Sequence, residues 1–144
     1  YINEFMIKSK VYDVVICSRF LKKSERYFKD KKLDKDINEN QSYMFNKLCK
    51  FFLYKDFTDY TSGYICIKRK MFNNFKLKGF YGDYFVNLLS HLKRNNSSIL
   101  EIPFKDEVRA SGISKTVVNL NLKYSYTCFR YILTLFKNFV LKIL

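Results

Sequence analysis

A short apolar segment, Glu101-Ile102-Pro103-Phe104, leads into Arg109-Ala110-Ser111-Gly112-Ile113-Ser114-Lys115. The first reads as a strand and the second as the loop that follows it. That loop combines two cations, small hydroxyl side chains and a glycine. Fixed positive charge, hydroxyl donors and backbone N–H groups at a glycine turn are what a phosphate group needs around it. Basic Gly/Ser loops are common, and one alone specifies little. Two upstream segments add to it: Asp59-Tyr60-Thr61-Ser62-Gly63-Tyr64 and Cys17-Ser18-Arg19-Phe20.

These segments need elements to carry them. Residues 12–17 form a nearly all-apolar run rich in Val and Ile, which suits a strand buried on both faces of an α/β sheet. Ser18 and Arg19 emerge at its carboxyl end, where ligands of open α/β sheets lie. Residues 21–41 are charge-dense with mixed signs and read as a solvated loop. Residues 42–54 have apolar side chains near helical spacing, and Ser42 is positioned to cap that helix. A helix N-terminus also attracts anions, so capping and phosphate binding are compatible. Ser62-Gly63 supplies a tight turn before a strand at 64–67. The triplet Lys68-Arg69-Lys70 reads as a solvated helix start rather than a binding patch.

Residues 82–92 read as a helix with Asp83 in its first turn. An acid there complements the helix dipole. It equally suits a carboxylate facing a site, and both readings stand. His91 is the only histidine and reads as structural, with no Ser/His/Asp or Cys/His arrangement in view. A strand follows at 99–102, ended by Pro103. Residues 116–144 are apolar with intermittent polar positions. Lys123, Arg130 and Lys137 recur every seven residues and share one helical face, with Thr134 and Asn138 near it. Such a helix lies in the headgroup plane of a membrane, or packs its apolar face on the sheet or a second subunit.

In their order, the motifs resemble the C-terminal half of family 2 glycosyltransferases, in particular the polyprenyl-phosphate (dolichyl-phosphate mannose synthase-like) sugar transferases. The matching residues are Ser18-Arg19-Phe20, Ser42 with Asn46, Asp59 with Ser62-Gly63-Tyr64, Gly82-Asp83-Tyr84-Phe85, Glu101-Ile102-Pro103-Phe104, and Arg109 with Gly112, Ser114 and Lys115. They cover nearly the whole chain. Cys17 departs from the family's usual Gly, and Asn38 stands where several members carry Arg. The resemblance implies an α/β fold, the C-terminal half of a GT-A-type domain over residues 1–115, with amphipathic membrane-surface helices over 116–144. The opening Tyr1-Ile2-Asn3 looks like the stretch just after the family's D-x-D metal motif, so the nucleotide-binding half is expected to lie upstream. The fragment alone is then expected to be inactive.

The implied reaction moves a sugar from a nucleotide-diphosphate donor to a polyprenyl phosphate acceptor. Arg19, Arg109 and Lys115 would meet phosphate, with Ser42, Ser62 and Ser114 donating hydrogen bonds. Gly63 and Gly112 would shape the turns. Asp83 would be catalytic, orienting the acceptor or a cationic partner. A divalent cation, Mg or Mn, would bind mainly in the upstream half, with no metal ligands here.

Composition sets the outer limits. The chain has 144 residues, 48% hydrophobic and 19% aromatic, too apolar for disorder and of single-domain length. Lys and Arg number 27 against 13 Asp and Glu, a formal charge of +14, which favours anionic partners. A Lys- and Asn-rich composition also yields such charge as mere solvated surface. The four cysteines show no C-x-x-C spacing and read as reduced, mostly buried thiols. The opening residues do not read as a signal peptide, and no stretch reaches the ~20 apolar residues of a spanning helix. The expected location is cytoplasmic, peripheral on the inner face of the membrane. A nucleic-acid partner is not expected, because aromatics are not interleaved with basic residues as in a stacking platform. A non-catalytic basic protein that binds membrane or nucleic acid, and an inactive truncated gene product, remain as alternatives.

Overall fold

The computed structural model describes residues 1–22, 32–73, 75–79, 82–104 and 122–144, with side chains from 41 onward in the second helix and 125 onward in the last. The chain is a small α/β domain. Helix α1 (Ile2–Lys8) precedes strand β1 (Val14–Ser18), and helix α2 (Lys32–Phe52) follows it. Strand β2 (Ile65–Ile67), a single 3₁₀ turn (Arg69–Phe72), helix α3 (Asp83–Arg94), strand β3 (Ile99–Pro103) and helix α4 (Leu122–Ile143) complete the order. The three strands form a mixed sheet in the order β2-β1-β3. The central strand β1 runs antiparallel to β2, with Val15 opposite Cys66, and parallel to β3, with Ser18 opposite Pro103.

Strand β1 is wholly buried, as its β-branched run requires. Its side chains alternate between two cores. Val14 and Ile16 point into the larger one, among Cys49 of α2, Leu53 just past it, Phe85, Leu89 and Leu92 of α3, and Leu135 of α4. Val15 and Cys17 point to the other face, where Ile102, Phe5 of α1 and Phe104 cover them. Burial raises the Cys17 thiol to about 11, so it stays protonated at neutral pH. The expectation that it is buried holds.

Three expectations change. Residues 21–41 do not all form a loop, because α2 already begins at Lys32. Lys and Glu are good helix formers, and the charge-dense stretch extends the helix from its apolar end. Ser42 therefore lies inside α2 and is not its N-cap. Helix α1 falls where no element was expected. Finally, α4 turns part of its polar face inward: Thr134 and Asn138 are buried and Arg130 pairs with Asp83, while Lys137 stays exposed together with Phe129, Leu133, Phe136 and Val140. Among the described residues no helix is long and apolar enough to cross a membrane.

Candidate functional site

The carboxyl end of β1 is held by the segment between α2 and β2. The Arg19 Nε and Nη2 donate to Asp59 Oδ2 and Oδ1 at 2.8 and 2.9 Å, a two-pronged pair, and its backbone N–H adds a third bond at 3.1 Å. Asp59 is fully buried, while 29% of the Arg19 side chain is exposed. Burial alone pushes the Asp59 carboxyl up, but the hydrogen bonds and charge of Arg19 outweigh it and hold it below the ordinary value. Thr61 closes the ring: its hydroxyl donates to Asp59 Oδ1 at 3.0 Å and accepts from Arg19 Nη2 at 2.5 Å.

Two further side chains lock this loop. Asn46 of α2 donates to Thr61 Oγ1 at 3.2 Å and to the Ser42 carbonyl at 2.7 Å, and its own oxygen accepts the Tyr60 N–H at 2.5 Å. Glu101 of β3 accepts the Thr58 N–H at 2.9 Å and the Thr58 hydroxyl at 2.6 Å. Because Thr58 spends its hydroxyl proton on Glu101, the 2.5 Å contact between Ser18 Oγ and Thr58 Oγ1 must carry the Ser18 proton. A directed chain of hydrogen bonds thus runs Ser18, Thr58, Glu101. Burial raises the Glu101 carboxyl above its ordinary value, partly opposed by the Thr58 donors.

Ser62 donates to the Cys17 carbonyl at 2.5 Å, so it ties its turn to β1. Gly63 has φ +70, a left-handed conformation that favours glycine, and the first turn of α3 lies beside it, within reach of Tyr84 Oη. The Phe104 N–H donates to the Ser18 carbonyl at 2.9 Å, which brings the end of β3 to the same place. Ser18-Arg19, Asp59–Ser62 and Glu101–Phe104, distant in sequence, therefore meet at one end of the sheet.

The remaining candidates sort differently. Ser42 lies one helical turn from Asn46, at the edge of this network. Asp83 is buried on the first turn of α3 and pairs with Arg130 of α4 at 3.2 Å, facing α4 and not the Arg19–Asp59 pair. Arg109, Gly112, Ser114 and Lys115 lie outside the described residues. Arg19 is a positioning group in this arrangement: Asp59 neutralises its charge, and a phosphate would have to compete for it. Among the described residues no group of three or more His, Cys, Asp or Glu is arranged to hold a metal. Sequence reasoning did not foresee Thr58, Thr61 or Arg130. Threonines on both sides of a buried aspartate were the available signal for the first two. Arg130 was read as solvent- or headgroup-facing. No protein-family model matches the chain, and no curated protein matches it.

Proposed function

We propose that the chain is part of a GT-A-type sugar transferase that handles a nucleotide-diphosphate donor and a lipid phosphate acceptor at a membrane surface. The observation that carries this reading is the meeting of Ser18-Arg19, Asp59–Ser62 and Glu101–Phe104 at the carboxyl ends of β1 and β3. That edge is where α/β sheets bind phosphorylated ligands. In this reading the Arg19–Asp59 ring fixes the turn at Ser62-Gly63 and the exit of β3. Arg109, Ser114 and Lys115, which follow β3 in the sequence, would then meet phosphate. Asp83 orients Arg130 rather than acting on a sugar directly. A divalent cation, Mg or Mn, would be held mainly by the other half of such a domain.

The test is nuclear magnetic resonance of arginine Nε–H groups during titration with uridine and guanosine diphosphates and a short-chain polyprenyl phosphate. The Arg109 signal is expected to move with at least one of them. An Arg109 signal indifferent to all three rejects the transferase reading. A second reading, a non-catalytic membrane-surface protein, draws on the exposed apolar stripe of α4. It predicts vesicle binding with no response to any nucleotide.

A further inference from the structure

A recess of about 220 Å³ opens between α3, α4 and the segment before α3. Lys78, Asp83, Asn87, Arg130, Thr134 and Lys137 line it. Three cations face one carboxylate there. That carboxylate, Asp83, is buried and holds the Arg130 guanidinium at 3.2 Å. Tyr126 steadies the same guanidinium through a 3.4 Å bond to its hydroxyl. Asn87 is fixed at both ends, donating to the Lys78 carbonyl at 3.1 Å and accepting from Asn138 at 2.7 Å. Lys78 and Lys137, by contrast, have no carboxylate within ion-pair distance among the described residues. A concave, positively biased pocket with one pre-oriented arginine suits an anion with several oxygens, because each cation can take a different one. Pre-orientation lowers the ordering cost of binding.

One wall of the recess identifies the source of that anion. Leu133 lines the pocket and is itself half exposed. It belongs to a stripe with Phe129, Phe136 and Val140, spaced three and four residues apart along α4. A head seated between Lys78 and Lys137 would leave its tail directed along an apolar surface. We propose that this recess binds the phosphate of an anionic membrane phospholipid, with its acyl chains on the α4 stripe. The proposal rests on the membrane-surface part of the proposed function and not on sugar transfer.

The experiment compares the full chain with Lys78→Gln/Lys137→Gln and a charge-matched control, Lys8→Gln/Lys55→Gln, whose lysines are exposed elsewhere. Sedimentation is measured with phosphatidylcholine vesicles containing phosphatidylglycerol, and with vesicles given equal charge by a fatty acid. Any two surface lysines contribute to general attraction, so both variants lose some binding. The recess variant is expected to lose about tenfold more than the control on phosphatidylglycerol, and no more than the control on the carboxylate surface. Equal losses on phosphatidylglycerol overturn the proposal. Soluble dihexanoyl phosphatidylglycerol supplies a second arm, read from the Arg130 Nε–H and Thr134 resonances. Shifts with that lipid and no vesicle binding keep the recess and reject the membrane-surface reading. Equal shifts with inorganic phosphate overturn the assignment to a lipid, and no shift with either overturns the site.

Discussion

The Arg19–Asp59 pair is the residue on which the strand-end architecture turns. Asp59 has no exposure, so removing Arg19 leaves a buried carboxylate with only Thr61 and backbone donors. Breaking a buried pair from one side costs about 3 kcal/mol. Arg19→Met is expected to lower stability by that order in urea unfolding, and Arg19→Met/Asp59→Asn to recover part of the loss. A double variant no better than the single would show that the pair contributes little beyond its packing. The two carboxylates here respond oppositely to pH. Asp59 titrates below its ordinary 3.8 in the folded chain, so its contribution is present above 3.8 and is lost as pH falls through the lower native value. Glu101 titrates above its ordinary 4.5, so its contribution is present below 4.5 and is lost as pH rises through the higher native value. The stability deficit of Glu101→Gln is therefore expected to shrink as pH climbs from 4.5. A deficit that grows over that range would mean that the Thr58 hydrogen bonds outweigh burial.

Between elements, α3 and α4 approach closely at one point, and glycine makes that possible. Gly82 caps α3, and a Cβ built there would collide with Tyr131 Oη. Tyr131 is braced edge-on against Phe45 of α2, with ring centroids 4.9 Å apart, so it cannot simply swing away. The backbone at Gly82, φ −81 and ψ −3, is open to alanine. The expected cost of Gly82→Ala, about 1–3 kcal/mol, is thus steric overpacking and not strain. Adding Tyr131→Phe removes the clashing oxygen and leaves the next ring atom 3.2 Å away, so the pair is expected to regain most of the loss. If thermal unfolding shows no rescue, the helices do not meet there. The sequence made β1 legible through its unbroken β-branched run, and β2, α3 and β3 through apolar segments next to Gly63, Gly82 and Pro103. It misled on α4 for a specific reason. Its polar stripe looked solvent-facing, but Asp83, Asn87 and Arg94 on α3 supply partners for Arg130 and Asn138 across the interface. Periodicity identifies a face, while which face is buried depends on what another element offers. The start of α2 escaped notice because charge density resembles a loop whenever the apolar half of a helix lies further along.

For the whole molecule, α4 leaves apolar side chains on the outer surface. Phe129 and Phe136 are each 56% exposed, with Leu133, Val140 and Ile143 alongside on α4. Phe51 of α2 stands 78% exposed next to Phe52, which itself packs toward Phe136 and Phe139. Contiguous exposed apolar surface of this kind marks an interaction face. The chain carries a net charge of +14, so electrostatic attraction and apolar insertion would act together on an anionic bilayer. Salt separates the two, because screening weakens the first and leaves the second. Phe129→Ser/Phe136→Ser changes half-exposed side chains outside the buried core, of which Phe136 touches Phe52 at the core's margin, so the fold is expected to persist by circular dichroism. Burying half-exposed phenylalanines contributes roughly 1 kcal/mol each. Vesicle affinity of this variant is therefore expected to fall at least about tenfold, at low and high salt alike. A loss seen only at low salt would mean that the stripe never enters the acyl boundary. The surface would then act by charge alone, and the apolar face of α4 would belong to a protein contact.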